Sequence, residues 1–301
     1  MKRPIRIGTR DSALALWQAN KVAGLLEKYD QSNVLHPVKS EGDLNLAQPI
    51  YQMGISGVFT RGLDVALLRG EIDIAVHSMK DVPTALAEGL EVVAVLERGA
   101  TEDVMVKSPT SGATVVATGS LRRKAQWLRR NPSHSITGLR GNVQTRLEKV
   151  SSNPWLGGIF ALAGLERLEI KDLEVEVLDW MLPAPAQGAV VVVAKSDRTD
   201  LKEALALINH SNTALEAQLE REFLRQLEGG CSSPIGAIAK VSGEEVLFKG
   251  GLFSLDGSKA VTIEKRTTRS KAVSDVSLWV GEVLKSGGEE ILKELRDGKD
   301  S

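Results

Sequence analysis

The sequence predicts an α/β protein of two or three domains with a smaller α+β unit at its end. Over the first two-thirds of the chain, strand-like segments alternate with amphipathic helices, a pattern typical of a mostly parallel sheet. The last third instead places one strong helix before segments typical of antiparallel strands. The length of 301 residues, with 42% hydrophobic and 26% charged residues, is ordinary for a soluble globular protein of this size.

The first α/β set begins with a strand over 5–9. Asp11 or Ser12 is suited to cap the helix that follows, because short polar side chains accept hydrogen bonds from the first helical amides. A short strand, VLHPV, comes next, and a later helix ends at Gly70, since glycine readily adopts the left-handed conformation of a helix terminus. Strands over 72–76 and in LEVVAVL complete the set.

The second set begins near Thr101 and repeats the alternation. Its strands are TVVATG, SITGL and GGIFAL, and the helices that follow them are LRRKAQWLRR, NVQTRLEKV and AGLERL. The stretch PAPAQGAVVVVAK indicates a hinge before a strand that returns to the first lobe. A helix over 213–227 opens the last unit, and Asp256-Gly257 fits the turn of a hairpin there.

Composition and charge exclude several classes of protein. The net charge is −1, so no overall positive field draws nucleic acid to the surface. One cysteine excludes an intramolecular disulfide framework, and with four histidines it argues against a zinc site. The N-terminal segment lacks the apolar stretch of a secretion signal, and no apolar run approaches the length of a membrane span. We therefore expect a cytoplasmic protein that contacts neither nucleic acid nor membrane.

Charged residues follow the carboxyl ends of several predicted strands, where α/β sheets form their binding sites. Lys80 and Asp81 follow the strand over 72–76 in a turn, although a surface ion pair is an equal alternative by position alone. Arginines, which suit carboxylates and phosphates, recur at the other strand ends. They are Arg10, Arg122, Arg123, Arg140, Arg146 and Arg167. Such a set in a near-neutral chain predicts a small polyanionic ligand, whereas Arg129 and Arg130 fit solvated helix faces.

The single cysteine, Cys231, lies in LEGGCSSPIG. Two glycines before it and a proline after it predict an irregular, open loop. Taken alone, the thiol fits two interpretations, a small buried hydrophobe or a reactive group, and the first is the more frequent.

A series of motifs carries a resemblance to a known family. They are RIGTRDSALALWQA, DIAVHSMKDVP, TGSLRR, LRGNVQTRL, AGLERL, AQGAV and LEGGCSSPIG. From Arg6 to about Gly236 the chain closely resembles the porphobilinogen deaminase (hydroxymethylbilane synthase) family. The resemblance implies two doubly wound lobes like those of periplasmic binding proteins and a small C-terminal α+β domain. The implied domains are domain 1 over 1–97 and 188–207, domain 2 over 98–187, and domain 3 over 208–301.

The resemblance also implies the reaction and its cofactor. A dipyrromethane would be attached to Cys231 through a thioether. The open, glycine-rich loop would then leave room for its two pyrrole rings. Four porphobilinogen molecules would be joined head to tail with loss of ammonia, and water would release hydroxymethylbilane. Because each porphobilinogen carries an acetate and a propionate, the growing chain brings many negative charges to the arginines. The product would pass to uroporphyrinogen III synthase, and we expect a monomer without a metal ion.

Roles for the candidate residues follow from the same resemblance. Asp81 matches the family's catalytic carboxylate, which would stabilise cationic pyrrole nitrogens and carry their protons. Lys80, Arg10 and Gln18 would act with it. Besides Cys231, the expected cofactor contacts are Asp81, Lys80, Ser78, Thr118, Ser120, Arg122, Arg123, Arg140 and Gly141. The expected substrate contacts are Arg10, Ser12, Gln18, Thr145, Arg146, Arg167, Gln187 and Gly188.

The polar, glycine-rich stretch over 40–57, an expected mobile loop, departs from the family pattern. Gln52 and Ser56 stand where the family commonly has lysines, and Phe59 completes the expected loop. Because two potential carboxylate partners are lost, a slow or specialised paralogue is one alternative. Others are a two-lobed protein that binds carboxylates without catalysis, and a protein that has kept the fold and lost activity. The retained cysteine and Lys-Asp pair favour the enzyme.

Overall fold

The structure is a computed structural model that describes residues 3–38, 60–109, 113–227 and 233–297. Within these ranges the chain forms two α/β lobes and a third unit in which an antiparallel sheet packs against helices. Four residues singled out from the sequence lie outside the described ranges: Gln52, Ser56, Phe59 and Cys231.

The first lobe is built on a sheet with the strand order β2-β1-β3-β10-β4. Its strands are β1 (Ile5–Thr9), β2 (Asn33–Pro37), β3 (Ile74–Ser78), β4 (Leu90–Val95) and β10 (Val190–Lys195). Its helices are α1 (Ala13–Glu27), α2 (Arg61–Leu68) and α6 (Thr199–Ala206). β1 is parallel to β2 and β3, whereas β10 runs antiparallel between β3 and β4. The strand after the hinge thus returns to the first lobe, as the sequence predicts.

The valine run of β10 shows why this sheet is buried on both faces. Val192 packs with Leu26 of α1 in one apolar cluster, and the next residue, Val193, packs with Leu67 of α2 in another. Successive strand residues point to opposite faces, so a strand covered on both sides is apolar throughout. Ser12 caps α1, and its Oγ accepts a hydrogen bond from the Ala15 amide at 3.4 Å.

The second lobe has a sheet with the order β7-β6-β8-β5-β9. Its strands are β5 (Asp103–Lys107), β6 (Val115–Ala117), β7 (Ser135–Thr137), β8 (Gly157–Ala161) and β9 (Val175–Val177). Its helices are α3 (Leu121–Arg130), α4 (Val143–Ser152) and α5 (Leu162–Arg167). β6 pairs in parallel with β7 and β8, and β5 is antiparallel to β8 and β9. The three strand–helix pairs predicted from the sequence are all present, but β5 and β9 were not foreseen.

The third unit is a three-stranded antiparallel meander of β11, β12 and β13 packed against helices. Its elements are α7 (Ser211–Gln226), β11 (Ile235–Ser242), β12 (Glu245–Phe253), β13 (Ala260–Thr268), α8 (Ala272–Val283) and α9 (Glu289–Asp297). Phe248 joins helix and sheet, with ring centroids 5.2 Å from Phe223 and 4.7 Å from Trp279. The predicted hairpin turn is present, and Gly257 has a φ of 76°. No helix in the described ranges is long and apolar enough to cross a membrane.

These elements confirm the predicted fold class of two α/β lobes followed by a small α+β unit. The boundaries of the three domains, at 97, 187 and 207, stay predictions.

Candidate active site

The two lobes meet over a cavity of about 330 Å³, a size typical of sites for small ligands. Its walls come from the places where strands of both sheets end, at the starts of α1, α4 and α5 and at the turn after β3. The predicted site residues among its lining are Arg10, Ser12, Ser78, Lys80, Asp81, Arg123, Arg140, Gly141, Arg146, Arg167 and Gly188. Strand ends from two sheets therefore gather side chains that are far apart in the sequence.

Lys80 and Asp81 lie on a 3₁₀ turn, Met79–Asp81, that follows β3 directly. Asp81 is exposed at the cavity, while Lys80 is half-buried with its Nζ 3.2 Å from Oε1 of Gln187. Burial lowers the pKa of Lys80 to about 8, and the charge of Asp81 opposes that decrease. Both side chains thus face the cleft, which favours the functional interpretation over a solvated surface ion pair.

Positive charge dominates the lining of the cavity. Burial lowers the pKa of Arg146 to about 10, and repulsion from Arg123 adds to the effect. Burial also lowers the pKa of Arg140 and of Arg167. Among the described lining residues, Asp81 is the only carboxylate. Such a cluster of like charges is stabilised by an anion, so the lining fits a ligand or cofactor that carries several carboxylates.

A buried carboxylate that the sequence analysis missed, Asp103, holds two of the predicted arginines. Nη1 of Arg122 lies 2.7 Å from Oδ2 of Asp103, and Nη2 of Arg123 lies 2.7 Å from Oδ1. Burial disfavours the charge of Asp103, but the two guanidinium groups outweigh burial and hold its pKa well below the usual range. Arg122 also donates to the Leu182 carbonyl at 2.6 Å and does not line the cavity, whereas Arg123 contacts Asp103 and lines the cavity.

Gln187 connects this ion-paired group with the turn that carries Lys80. Its Nε2 donates to Oδ1 of Asp103 at 3.0 Å, and its Oε1 accepts from Nζ of Lys80 at 3.2 Å. Gln187 is fully buried in the segment that crosses between the lobes. The next residue, Gly188, has a φ of 84°, and a Cβ there would lie 2.6 Å from two backbone carbonyl oxygens. Glycine is therefore required at this crossing.

Several predicted site residues lie behind the cavity rather than in its lining. Gln18 is buried, and its Nε2 donates to Oγ of Ser78 at 2.6 Å. Oγ1 of Thr118 accepts from the Ser120 amide at 3.2 Å, and Ser120 caps α3. Thr145 lies in the first turn of α4. These four residues support lining residues or helix starts, and their direct contact with a ligand stays a prediction.

A second missed carboxylate, Glu220, anchors the third unit to the segments that cross between the lobes. Its two oxygens accept from Nη1 and Nη2 of Arg98 at 2.7 and 2.9 Å. The backbone amides of Ala186 and Ala239 also donate to it, at 2.6 and 2.7 Å. Glu220 lies on the apolar stripe of α7, and a charged residue at such a position is the signal that could have identified it.

Comparison with known proteins decides the family. Residues 5–203 match the model described as "Porphobilinogen deaminase, dipyromethane cofactor binding domain", and residues 214–285 match "Porphobilinogen deaminase, C-terminal domain". The chain belongs to the porphobilinogen deaminase family. A porphobilinogen deaminase of Desulfitobacterium hafniense is 40% identical over 97% of this chain and 97% of its own length. One from Geobacter sulfurreducens is 40% identical over 97% of this chain and 94% of its own.

Membership in the porphobilinogen deaminase family gives the chain its activity and its cofactor. It is a transferase that acts on porphobilinogen in tetrapyrrole biosynthesis and uses dipyrromethane. The predicted family, enzyme class and cofactor are confirmed, and the non-catalytic binding protein is not favoured. In the described part of the chain, no group of three or more His, Cys, Asp or Glu side chains is arranged to hold a metal ion.

Solved structures align with the chain at lower similarity. The VFT2 domain of Bordetella pertussis BvgS covers 68% of this chain and 85% of its own, with 13% identity and a TM-score of 0.41. The extracellular-binding protein YtmK of Bacillus subtilis covers 68% and 90%, with 11% identity and a TM-score of 0.41. The two lobes of this chain are evident from its own two five-stranded sheets.

Proposed function

We propose that the deaminase reaction takes place in the cavity between the lobes, with Asp81 as its catalytic carboxylate. The observation that carries this proposal is the charge of the lining, where guanidinium groups surround the carboxylate of Asp81. Guanidinium groups bind carboxylates in a fixed two-pronged geometry. Porphobilinogen and dipyrromethane both carry carboxylates, so one cluster of arginines serves substrate, cofactor and growing chain.

Cys231 is the proposed attachment point of dipyrromethane, through a thioether. Support comes from the motif LEGGCSSPIG and from the presence of one cysteine in the whole chain. When bound, the cofactor supplies the pyrrole carbon to which the first substrate is joined. Arg123 and Arg140 of the second lobe and Lys80 of the first line the cavity and would bind its carboxylates.

Asp81 is the group that would act on the reacting ring. Its carboxylate is exposed at the cavity, where it can accept a hydrogen bond from a pyrrole N–H. It would stabilise the positive charge that develops on that nitrogen as ammonia leaves, and it would take up the proton that is released after coupling. Lys80, protonated below its pKa of about 8, would hold a substrate carboxylate beside it.

Asp81→Asn tests this assignment. The substitution keeps the size of the side chain and removes its charge, so we expect the melting temperature to stay within about 2 °C, because exposed substitutions cost little. We expect kcat to fall by about 10²- to 10⁴-fold, the range of a positioned acid–base group. Asp179→Asn, which changes an exposed carboxylate outside the cavity lining, is the matched control and should keep full activity. A normal kcat for Asp81→Asn would refute the assignment.

Assembly and cellular context belong to the same proposal. We propose that the chain acts as a monomer in the cytoplasm and that hydroxymethylbilane passes to uroporphyrinogen III synthase. The single cysteine fits a reducing compartment, and the relatives are named as enzymes of the same biosynthetic step. Light scattering during size-exclusion chromatography measures the mass directly, and a mass near 32.4 kDa supports the monomer.

A further inference from the structure

Arg221 of α7 contacts the turn that carries Lys80 and Asp81. Its Nη1 donates to the carbonyl oxygens of Met79 at 3.1 Å and Val82 at 2.8 Å. Its Nη2 donates to the carbonyl oxygen of Pro83 at 2.6 Å. One guanidinium group from the third unit thus binds backbone on both sides of the two site residues.

The turn itself has little internal support. Residues 79–81 form a single 3₁₀ turn, a conformation with poor hydrogen-bond geometry that is stable only in short pieces. Within the backbone, the Val82 amide donates to the Met79 carbonyl at 3.2 Å, and the Met79 amide donates to the carbonyl oxygen of Ala189 at 3.0 Å. The direction in which Lys80 and Asp81 project therefore depends on contacts from outside the turn, and Arg221 supplies three of them.

The helix that carries Arg221 is itself fixed in place. The preceding residue, Glu220, forms an ion pair with Arg98. It also accepts hydrogen bonds from the backbone amides of Ala186 and Ala239. α7 ends at Gln226, a few residues before Cys231. The same helix therefore leads into the cysteine segment and touches the turn of the proposed catalytic carboxylate.

We propose that Arg221 is a positioning residue for catalysis, which holds the 79–83 backbone so that Lys80 and Asp81 project into the cavity. Through it, the unit that carries Cys231 sets the geometry of the catalytic turn in the first lobe. This inference rests on the proposed function, because it takes Asp81 as the catalytic group. The planar guanidinium is what the role requires, since a lysine ammonium has no fixed fork of donors.

Arg221→Lys is the test, with Arg225→Lys as the matched control. Arg225 lies one turn further along α7, is exposed and pairs with Glu222 of the same helix at 2.6 Å. For Arg221→Lys we expect kcat to fall by about 10²-fold, because a small misplacement of reacting groups has effects of that size. KM for porphobilinogen should rise by a much smaller factor than kcat falls, because Lys80 is displaced with the turn while the arginines of the second lobe are untouched. Arg225→Lys should keep both constants.

Two further readouts separate positioning from a merely structural role. In Arg221→Lys the 79–83 peptide should exchange its amide hydrogens faster while peptides of the second lobe keep their rates. The alkaline limb of the pH–rate profile should shift upward, because a looser turn exposes Lys80 to water. A general loss of thermal stability with unchanged exchange of the 79–83 peptide would overturn the inference, as would a normal kcat.

The activity of Asp81→Asn distinguishes a failure of the positioning role of Arg221 from a failure of the proposed function. If Asp81→Asn is inactive and Arg221→Lys is fully active, the positioning role fails and the proposed function stands. If Asp81→Asn is fully active, the proposed function fails, and the positioning role that depends on it fails as well.

Discussion

Asp103→Asn removes the charge that holds the arginines of the second lobe. The carboxylate is 0% exposed, and a guanidinium nitrogen of Arg122 and one of Arg123 each lie 2.7 Å from it. Asparagine has the same shape but leaves two buried cations without a counter-charge. Removing one partner of a buried ion pair costs about 3–5 kcal/mol. Since two cations share this one carboxylate, we expect a loss in the upper part of that range, about 4–5 kcal/mol.

Urea denaturation followed by tryptophan fluorescence measures the loss, because Trp127 lies in the core of the second lobe. Asp197→Asn is the matched control. The side chain of Asp197 is 68% exposed, and its Oδ2 lies 3.2 Å from Nζ of Lys195, so the substitution should lower the free energy of unfolding by less than about 1 kcal/mol. Adding Arg122→Met to Asp103→Asn should recover part of the stability, since one of the uncompensated cations is then gone. A free energy of unfolding of Asp103→Asn within about 1 kcal/mol of that of the control would show that the charge of Asp103 does not stabilise the two arginines.

Three further predictions concern single residues of the first lobe. His77 is buried, and burial, with a smaller contribution from Arg10, lowers its pKa from 6.5 to about 4. Between these two pKa values the unfolded chain binds more protons than the folded chain. About 3 kcal/mol of stability is therefore lost as the pH falls from 6.5 towards 4. Denaturation at pH 7 and pH 5 measures this loss, which should be smaller in His77→Phe. Lys80→Met should raise KM for porphobilinogen. For the wild type we expect KM to increase as the pH rises through about 8, and initial rates should show no such increase in the variant. Gly188→Ala should cost about 2 kcal/mol or more, whereas Gly24→Ala, whose Cβ meets nothing within 4 Å, should be neutral or stabilising in a thermal melt.

The strand–helix pairs could be predicted because their signals are local. Ser12 caps α1 with its own hydroxyl, and the valine run of β10 is apolar because both faces of that strand are covered. β5 was missed because it enters its sheet antiparallel and interrupts the regular alternation. Asp103 is the first residue of β5 and was missed with it, because its burial is visible only once the sheet is assembled.

The candidate site was predicted as far as strand ends determine it. Arg10, Arg140 and Arg146 follow strand ends in the sequence, and all three line the cavity. It did not separate Arg122 from Arg123, because neighbours on a helix differ by about 100° in direction and only the position of Asp103 shows which one reaches the cavity. The contacts of Gln187 with Lys80 and of Arg221 with Met79 join residues more than a hundred positions apart in sequence, and no local pattern signals them.

The intact mass of the protein under denaturing conditions shows whether Cys231 holds the cofactor. The wild-type chain should exceed the polypeptide mass by two linked pyrrole units, and Cys231→Ser should not. A preparation without cofactor should gain the same mass when it is incubated with porphobilinogen. A wild-type chain that keeps the bare polypeptide mass after that incubation, or a Cys231→Ser variant that carries the extra mass, would show that Cys231 is not the attachment point.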